Sequence, residues 1–331
     1  MALEFSTGKV AAAFVMLACT GAQCAWAQQP DRLSYPARPV RVLVGYPAGG
    51  AVDATTRVVT QPLAERLGQP VVVDNRPGNT GNIAGDMLAK APPDGYTLHM
   101  ATGINAVSVS LFKHLPFDPV RDFAPISRCI TTTSVLVVTN ALPVRSVQDL
   151  VAYAKANPGK LNYATTGAGG SPHLAAELLS SMAGIRMVHV PYKGGPQSMQ
   201  ELVAGGVQLS FANIPNALPL ARAGRIRALA ITGAKRTPLA PDLPTIAESG
   251  YPGYDLDVWY GLVAPAKTPR TLINRLNREV VAVLGMRDVQ AMLATQGLDA
   301  APSSPEELAA ELRNDVKKYA KILRDAGIEP Q

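Results

Sequence analysis

Val40-Arg41-Val42-Leu43-Val44-Gly45-Tyr46-Pro47-Ala48-Gly49-Gly50-Ala51-Val52-Asp53 is the stretch on which the architecture turns. A β-branched run from Val40 to Tyr46 enters a turn rich in Gly and Pro, and the pattern then becomes helical from Thr55 to Leu67. Strand, tight turn and helix in that order open a βαβ series. It continues with a strand at Val71 to Val73, a helix at Asn82 to Lys90 and a strand at Thr97 to Ala101. This grammar predicts an α/β fold built on a mostly parallel sheet flanked by helices.

The grammar restarts after a strand at Ser134 to Thr139. Helices at Val147 to Ala156, Pro172 to Ala183 and Gln197 to Ala204 then alternate with strands at Leu161 to Thr165, Met187 to Val190 and Val207 to Ala212, which predicts a second lobe. The Pro- and Gly-rich segment from Pro238 to Gly253 reads as a return crossing. Beyond it the chain is helical, at Pro269 to Leu284, at Arg287 to Gln296, and in a helix opened by Ser304-Pro305-Glu306-Glu307. Ser304 as N-cap, Pro305 at the first helical position and Glu307 form a capping box. The expected organisation is residues 1–27 as a signal peptide, 28–132 with 255–331 as the first lobe, and 133–254 as the second.

At the N-terminus, Lys9, the apolar run Val10 to Cys19 and the small-residue pattern Ala25-Trp26-Ala27 read as a secretory signal peptide cut after Ala27. That run is too short to cross a membrane, and no later stretch approaches the ~20 apolar residues a spanning helix needs. Of the three cysteines, Cys19 and Cys24 leave with the signal; Cys129 alone permits no internal disulfide. Against 25 acidic residues stand 31 Lys and Arg, a net charge of +6. The basic residues are dispersed and aromatics make up only 5% of the chain, which speaks against a nucleic-acid surface and suits the approach of small anions.

The opening turn has a counterpart in the second series, Thr165-Thr166-Gly167-Ala168-Gly169-Gly170-Ser171-Pro172-His173. Asp53 is the expected N-cap of the first helix and Ser171 of the second, with Pro172 at its first helical position. Glycines such as Gly49, Gly50, Gly167 and Gly169 allow close approach of backbone to ligand, and the first amides of a helix lack intrahelical acceptors at the positive end of its dipole. Each turn is therefore a candidate anion site, and the pair facing each other would grip one carboxylate. Charge-assisted hydrogen bonds contribute roughly 1.5–3 kcal/mol each, so a few of them are compatible with micromolar binding, about −8 kcal/mol. The competing reading is that such turns are merely tight βα connections. Thr102 and Asn105 follow a third strand end and Asn213 a fourth; each is a candidate ligand contact or an ordinary turn cap.

Catalytic and cofactor chemistries find little support. Neither turn carries a nucleotide fingerprint, and none of the four histidines, His99, His114, His173 and His189, has metal-ligand spacing. His173 and Glu177, one helical turn apart, either orient the His173 ring at the helix mouth, which makes His173 a candidate ligand contact, or form an exposed helix contact. Ser171 and His173 lack an orienting third group, no Gly-x-Ser-x-Gly elbow is present, and Lys193 reads as an exposed loop lysine. No metal, no cofactor and no catalysis are expected.

Seven segments together carry a resemblance over essentially the whole length after the signal: Tyr35-Pro36-x-Arg38-Pro39, Pro47-x-Gly49-Gly50-x-x-Asp53, Val73-x-Asn75-Arg76-Pro77-Gly78, Pro93-Asp94-Gly95-Tyr96-Thr97-Leu98, Val190-Pro191-Tyr192-Lys193-Gly194, Leu243-Pro244-Thr245-Ile246-Ala247-Glu248 and Trp259-Tyr260-Gly261-Leu262-Val263-Ala264-Pro265. The chain resembles the Bug family, the TctC-like receptors of tripartite tricarboxylate transporters. The resemblance implies a two-lobed periplasmic binding protein fold with its ligand cleft between hinge-closing lobes. It also implies a small organic acid as ligand, gripped at Gly49 to Asp53, including Ala51, and at Thr166 to Ser171. Membrane components of the transporter are the implied partner, with a sensor kinase as a variant of that role, and a periplasmic monomer is expected. Similar proteins carry an acidic residue where Ala212 stands, which points towards an acid without an amine. Tyr46 and Trp259 are candidates to pack against the ligand body or, equally, to be core residues at the lobe interface. An exported enzyme acting on an acyl or carboxylate substrate remains the alternative.

Overall fold

The computed structural model describes Met1 and residues 35–165, 167, 170–192 and 195–330. It divides into a short unit, Met1–Ala37, and a main unit, Arg38–Gln331. The expected signal peptide lies outside the described residues, and the fold belongs to the main unit.

The first sheet takes β1 (Val40–Val44), β2 (Val71–Asn75), β3 (Thr97–Thr102) and β4 (Phe123–Thr132) from the start of the unit. Between them run α1 (Ala51–Leu67), a 3-10 turn at Asn79–Gly81, α2 (Asn82–Ala89), α3 (Gly103–Leu111) and the short α4 (Pro119–Asp122). The second sheet follows with β5 (Ser134–Thr139), α5 (Val147–Ala156), β6 (Asn162–Thr165), α6 (Ser171–Ala183), β7 (Val188–Pro191), α7 (Gly195–Ala204), β8 (Leu209–Asn213), α8 (Ile214–Arg222) and β9 (Ile226–Ile231). The chain then rejoins the first sheet through β10 (Val258–Pro265) and β11 (Asp299–Ala300), with α9 (Arg270–Leu284), α10 (Arg287–Thr295) and the long α11 (Pro305–Asp325).

Strand order is β11-β4-β10-β3-β1-β2 in the first sheet and β7-β6-β8-β5-β9 in the second. Both are mixed. The expected parallel strands are there, β1 pairing with β2 and β3, and β6 with β7 and β8. Antiparallel strands that return without an intervening helix complete each sheet, β10 against β3 and β4, and β5 against β8 and β9. Alternation of β and α patterns does not announce such strands. Central position explains the apolar runs: Val40, Val42, Leu43 and Val44 of β1 are fully buried, and β5 is buried at every residue.

Two segments link the sheets. Thr133 separates β4 from β5, and the long connection after β9 returns to β10. They are joined to each other, the Thr133 hydroxyl lying 3.1 Å from that of Thr232, while Leu256 N–H donates to the Thr232 carbonyl. α11 begins with the expected capping box, in which Ser304 N–H donates to Glu307 at 2.7 Å and Glu307 N–H to the Ser304 hydroxyl at 3.2 Å. Its partners, unreadable in sequence, are α3, β4 and also α6 of the second sheet.

Candidate functional site

At the end of β1 the chain makes a close crossing that requires glycine: a Cβ on Gly45 would stand 2.5 Å from the Cα of Gly81. The turn that follows brings Gly49 to φ +79°, a left-handed conformation suited to glycine. The N-cap of α1 is Gly50, not Asp53 as expected from the sequence. Asp53 instead occupies the third helical position and reaches back, accepting the Gly49 N–H at 2.9 Å. Its buried carboxylate also accepts from Asn75 Nδ2 at 2.9 Å and from Arg57 Nε at 3.0 Å. Burial opposes the charge on Asp53, but these hydrogen bonds from Arg57, Gly49 and Asn75 outweigh it and hold the carboxyl below its usual range. Gly49 and Asp53 are thus occupied with each other, and the unused amides are those of the first turn, starting at Ala51.

The second-sheet turn is built otherwise. Gly170, not Ser171, caps α6; Ser171 is its first residue and Pro172 its second. Gly167, at φ +125°, donates its N–H to the Thr165 hydroxyl at 3.1 Å. That hydroxyl is 2.6 Å from Nε2 of His189 on the neighbouring strand. His189 stacks on His173 with ring centroids 4.1 Å apart and planes 9° from parallel. Burial, aided by the neighbouring His189, lowers the His173 pKa to about 4, and burial lowers that of His189. The His173–Glu177 pair is therefore no exposed contact: His173 is buried, and Glu177 accepts a short 2.5 Å bond from the Tyr163 hydroxyl. Thr166, Gly169 and Lys193 lie outside the described residues.

These two helix starts border one hollow of about 420 Å³. Tyr46, Gly50, Ala51, Val52 and Thr102 approach it from the first sheet, and Gly170 and Ser171 from the second. The Tyr46 hydroxyl is 3.3 Å from that of Thr102. Asn105 stands behind, its side-chain carbonyl accepting the Thr102 N–H at 2.9 Å, so it is a cap rather than part of the lining. Asn213 borders a smaller hollow of about 90 Å³ that shares Ser171 with the first. Gly167 and His173 shape the turn from outside the lining. Among the described residues, no group of three or more His, Cys, Asp or Glu could hold a metal ion, and no helix is long and apolar enough to cross a membrane.

A family model described as "Tripartite tricarboxylate transporter family receptor" matches residues 55–328. The chain belongs to this family. It is 34% identical to Protein BugT of Bordetella pertussis over 89% of this chain and 91% of that one. Among solved structures, R. palustris Rpa4515 with adipate is 38% identical at a TM-score of 0.77, covering 90% of this chain and 100% of that one. MatC (Rpa3494) from Rhodopseudomonas palustris with bound malate is 30% identical at a TM-score of 0.73, covering 87% and 100%. The fold is accordingly the α/β, periplasmic-binding-protein type of TctC and Bug receptors.

In this TctC-family chain the sequence missed several residues that line the hollow, among them Thr80, Ile104, Val258 and Tyr260. Of the two aromatics offered as ligand contacts or core residues, Tyr46 lines the hollow, whereas Trp259 is 2% exposed and its indole N–H donates to Asp315 at 2.7 Å. Alternation along β10 turns Val258 and Tyr260 to the hollow and Trp259 to the core. The period-2 rule would have found this had the segment been read as a strand. Burial, with Tyr46 nearby, pushes the Tyr260 hydroxyl up from its usual pKa, so it stays a neutral donor.

Proposed function

We propose that this chain is an exported periplasmic receptor that captures a small organic carboxylate between its two lobes and delivers it, chemically unaltered, to the membrane components of a tripartite tricarboxylate transporter. The observation that carries the reading is that the start of α1 and the start of α6 border the same hollow. First-turn amides without intrahelical acceptors, at two positive dipole ends, are suited to one negative head group. Among the described residues, no Asp, Glu, Lys or Arg lines the hollow. Recognition therefore falls to main-chain amides and to the hydroxyls of Tyr46, Thr80, Thr102, Ser171 and Tyr260, all neutral donors. A volume of about 420 Å³ is in the usual range for small-ligand sites.

Two relatives hold adipate and malate, both dicarboxylates. The smaller hollow beside Ser171 has Asn213 and Ala212 in its lining and, among the described residues, no acidic side chain, which favours an acid without an ammonium group. Closure about the Thr133–Thr232 junction would follow from tighter binding by the closed form, and the closed surface is what a transporter would read.

Calorimetric titration of the signal-free protein with adipate, malate, simple monocarboxylates and acidic amino acids tests the reading. A saturable heat is expected with at least one acid lacking an amine. Flat traces with every acid at millimolar concentration would sink it.

A further inference from the structure

The grip proposed above leaves two stacked histidines unexplained, His173 buried and His189 half-buried. His189 lies on β7, directly opposite Tyr163 of β6 in the sheet register. Its ring stacks on two others: Tyr163 at 5.2 Å and 21°, and His173 of the first turn of α6 at 4.1 Å and 9°. Stacking alone would be served by any aromatic residue. Only an imidazole adds a ring nitrogen at the edge, and here Nε2 meets the Thr165 hydroxyl at 2.6 Å. The same hydroxyl accepts the N–H of Gly167, which sits at φ +125°, and lies 3.4 Å from the Gly167 carbonyl.

We propose that His189 is the positioning residue of the second-lobe turn: clamped between β6 and the start of α6, it fixes the Thr165 hydroxyl and through it the Gly167 amide. The proposal rests on reading that turn as half of a carboxylate grip. Strand end, turn and first helical turn are thereby tied to one ring that itself stands outside the cleft. Losing Nε2 releases the Thr165 hydroxyl towards its longer contact, the Gly167 carbonyl 3.4 Å away, and loosens the turn at Gly167 with it.

The titratable groups facing the imidazole are Tyr163 from β6 and His173 from α6, with Glu177 of α6 3.9 Å from His173 Nε2; β7 adds none of its own. Burial disfavours its cation, so the His189 ring is neutral near pH 7 and gains its proton at lower pH than a free imidazole does. Protonation turns Nε2 into an obligatory donor, so the Thr165 hydroxyl must redirect its own hydrogen. The link therefore has a spectroscopic signature that mere packing lacks.

The test is nuclear magnetic resonance of the ligand-free, 15N-labelled, signal-free protein, titrated from neutral to acid pH. The Gly167 amide is expected to move in one step whose midpoint matches that of the His189 imidazole, while the Gly49 amide, held by ionised Asp53, shows no such step. In Thr165→Val the His189 ring should still titrate and the Gly167 step should vanish; in His189→Phe, which keeps the stack, the step should vanish too. A Gly167 amide that stays still while His189 titrates, or that moves identically in Thr165→Val, overturns the proposal. If His189→Phe fails to fold, Thr165→Val decides alone. Because no ligand is present, failure of carboxylate binding in calorimetry and failure here are separate results.

Discussion

The turn after β1 and the turn after β6 share a sequence plan, yet they are held by opposite chemistry. In the first, a buried carboxylate accepts the Gly49 amide and is balanced by Arg57 and Asn75. In the second, a neutral hydroxyl accepts the Gly167 amide and is balanced by an imidazole. Both solutions tie down one glycine amide from behind and leave the helix start facing the hollow. The first is a charged clamp insensitive to pH across the neutral range; the second is neutral and titratable. An equivalent backbone shape does not imply an equivalent support.

Removing the charged clamp should have the largest effect. Asp53→Ala leaves the Gly49 N–H and the Asn75 amide without a partner in a buried place and strands Arg57; we expect a loss of about 3 kcal/mol of stability in urea unfolding. Equal losses in Asp53→Ala and Thr165→Val would erase the contrast between the turns. Next, Gly45→Ala forces a methyl against the Gly81 backbone, 2.5 Å away, where no side chain can yield. A cost of about 2 kcal/mol and weakened carboxylate binding are expected, since Thr80 in the same segment lines the hollow. Native stability and affinity in that variant would show that the crossing tolerates displacement.

A smaller effect separates the turns by pH. His173 has its pKa lowered to about 4 by burial and by His189, against 6.5 for the free side chain. The folded form then binds fewer protons than the unfolded one, so its contribution is fully present above about pH 6.5 and is lost as pH falls towards 4. Asp53, lowered below its own usual value, keeps its contribution throughout that window. Denaturation at neutral and mildly acid pH should give a shallower acid loss in His173→Phe than in the parent, by about 1–2 kcal/mol after discounting for partial solvent exposure. His99, also lowered to about 4 by burial, acts with the same sign in the first sheet, so the comparison must be made between variants. Identical acid profiles would remove His173 from the account. The smallest effect is expected from Tyr260→Phe: stability within about 0.5 kcal/mol, and affinity for a bound acid reduced less than about tenfold. A severe folding defect would mean that the Tyr260 hydroxyl serves the core and not the hollow.

Much of this was open to reading in the chain itself. The β1 and β6 strands, the two Gly-rich turns and the Ser304 capping box follow from short-range rules, because alternation, helical period and cap chemistry act over a few residues. The strands β4, β9 and β10 escaped that reading, and with them Tyr260, since antiparallel pairing with distant segments leaves no local signal. Asp53 was misplaced as the helix cap, and Asn105 was left open between ligand contact and cap, for a related reason: a polar residue at a helix start serves either a ligand or its own backbone, and only its partner atoms tell which. His173 and Glu177 looked like a surface pair because a helix-face rule cannot see the β7 ring stacked above.

By itself, the sequence determined that this is an α/β chain whose two strand–turn–helix units could each present free amides to an anion, because glycine placement and helix capping are local matters. Only the tertiary structure decided that both helix starts border one hollow, that Asp53 and His189 stand behind the turns as supports, and that Tyr260 and not Trp259 faces the ligand space. Those facts depend on which distant segments pack together, and packing is settled by the whole chain at once.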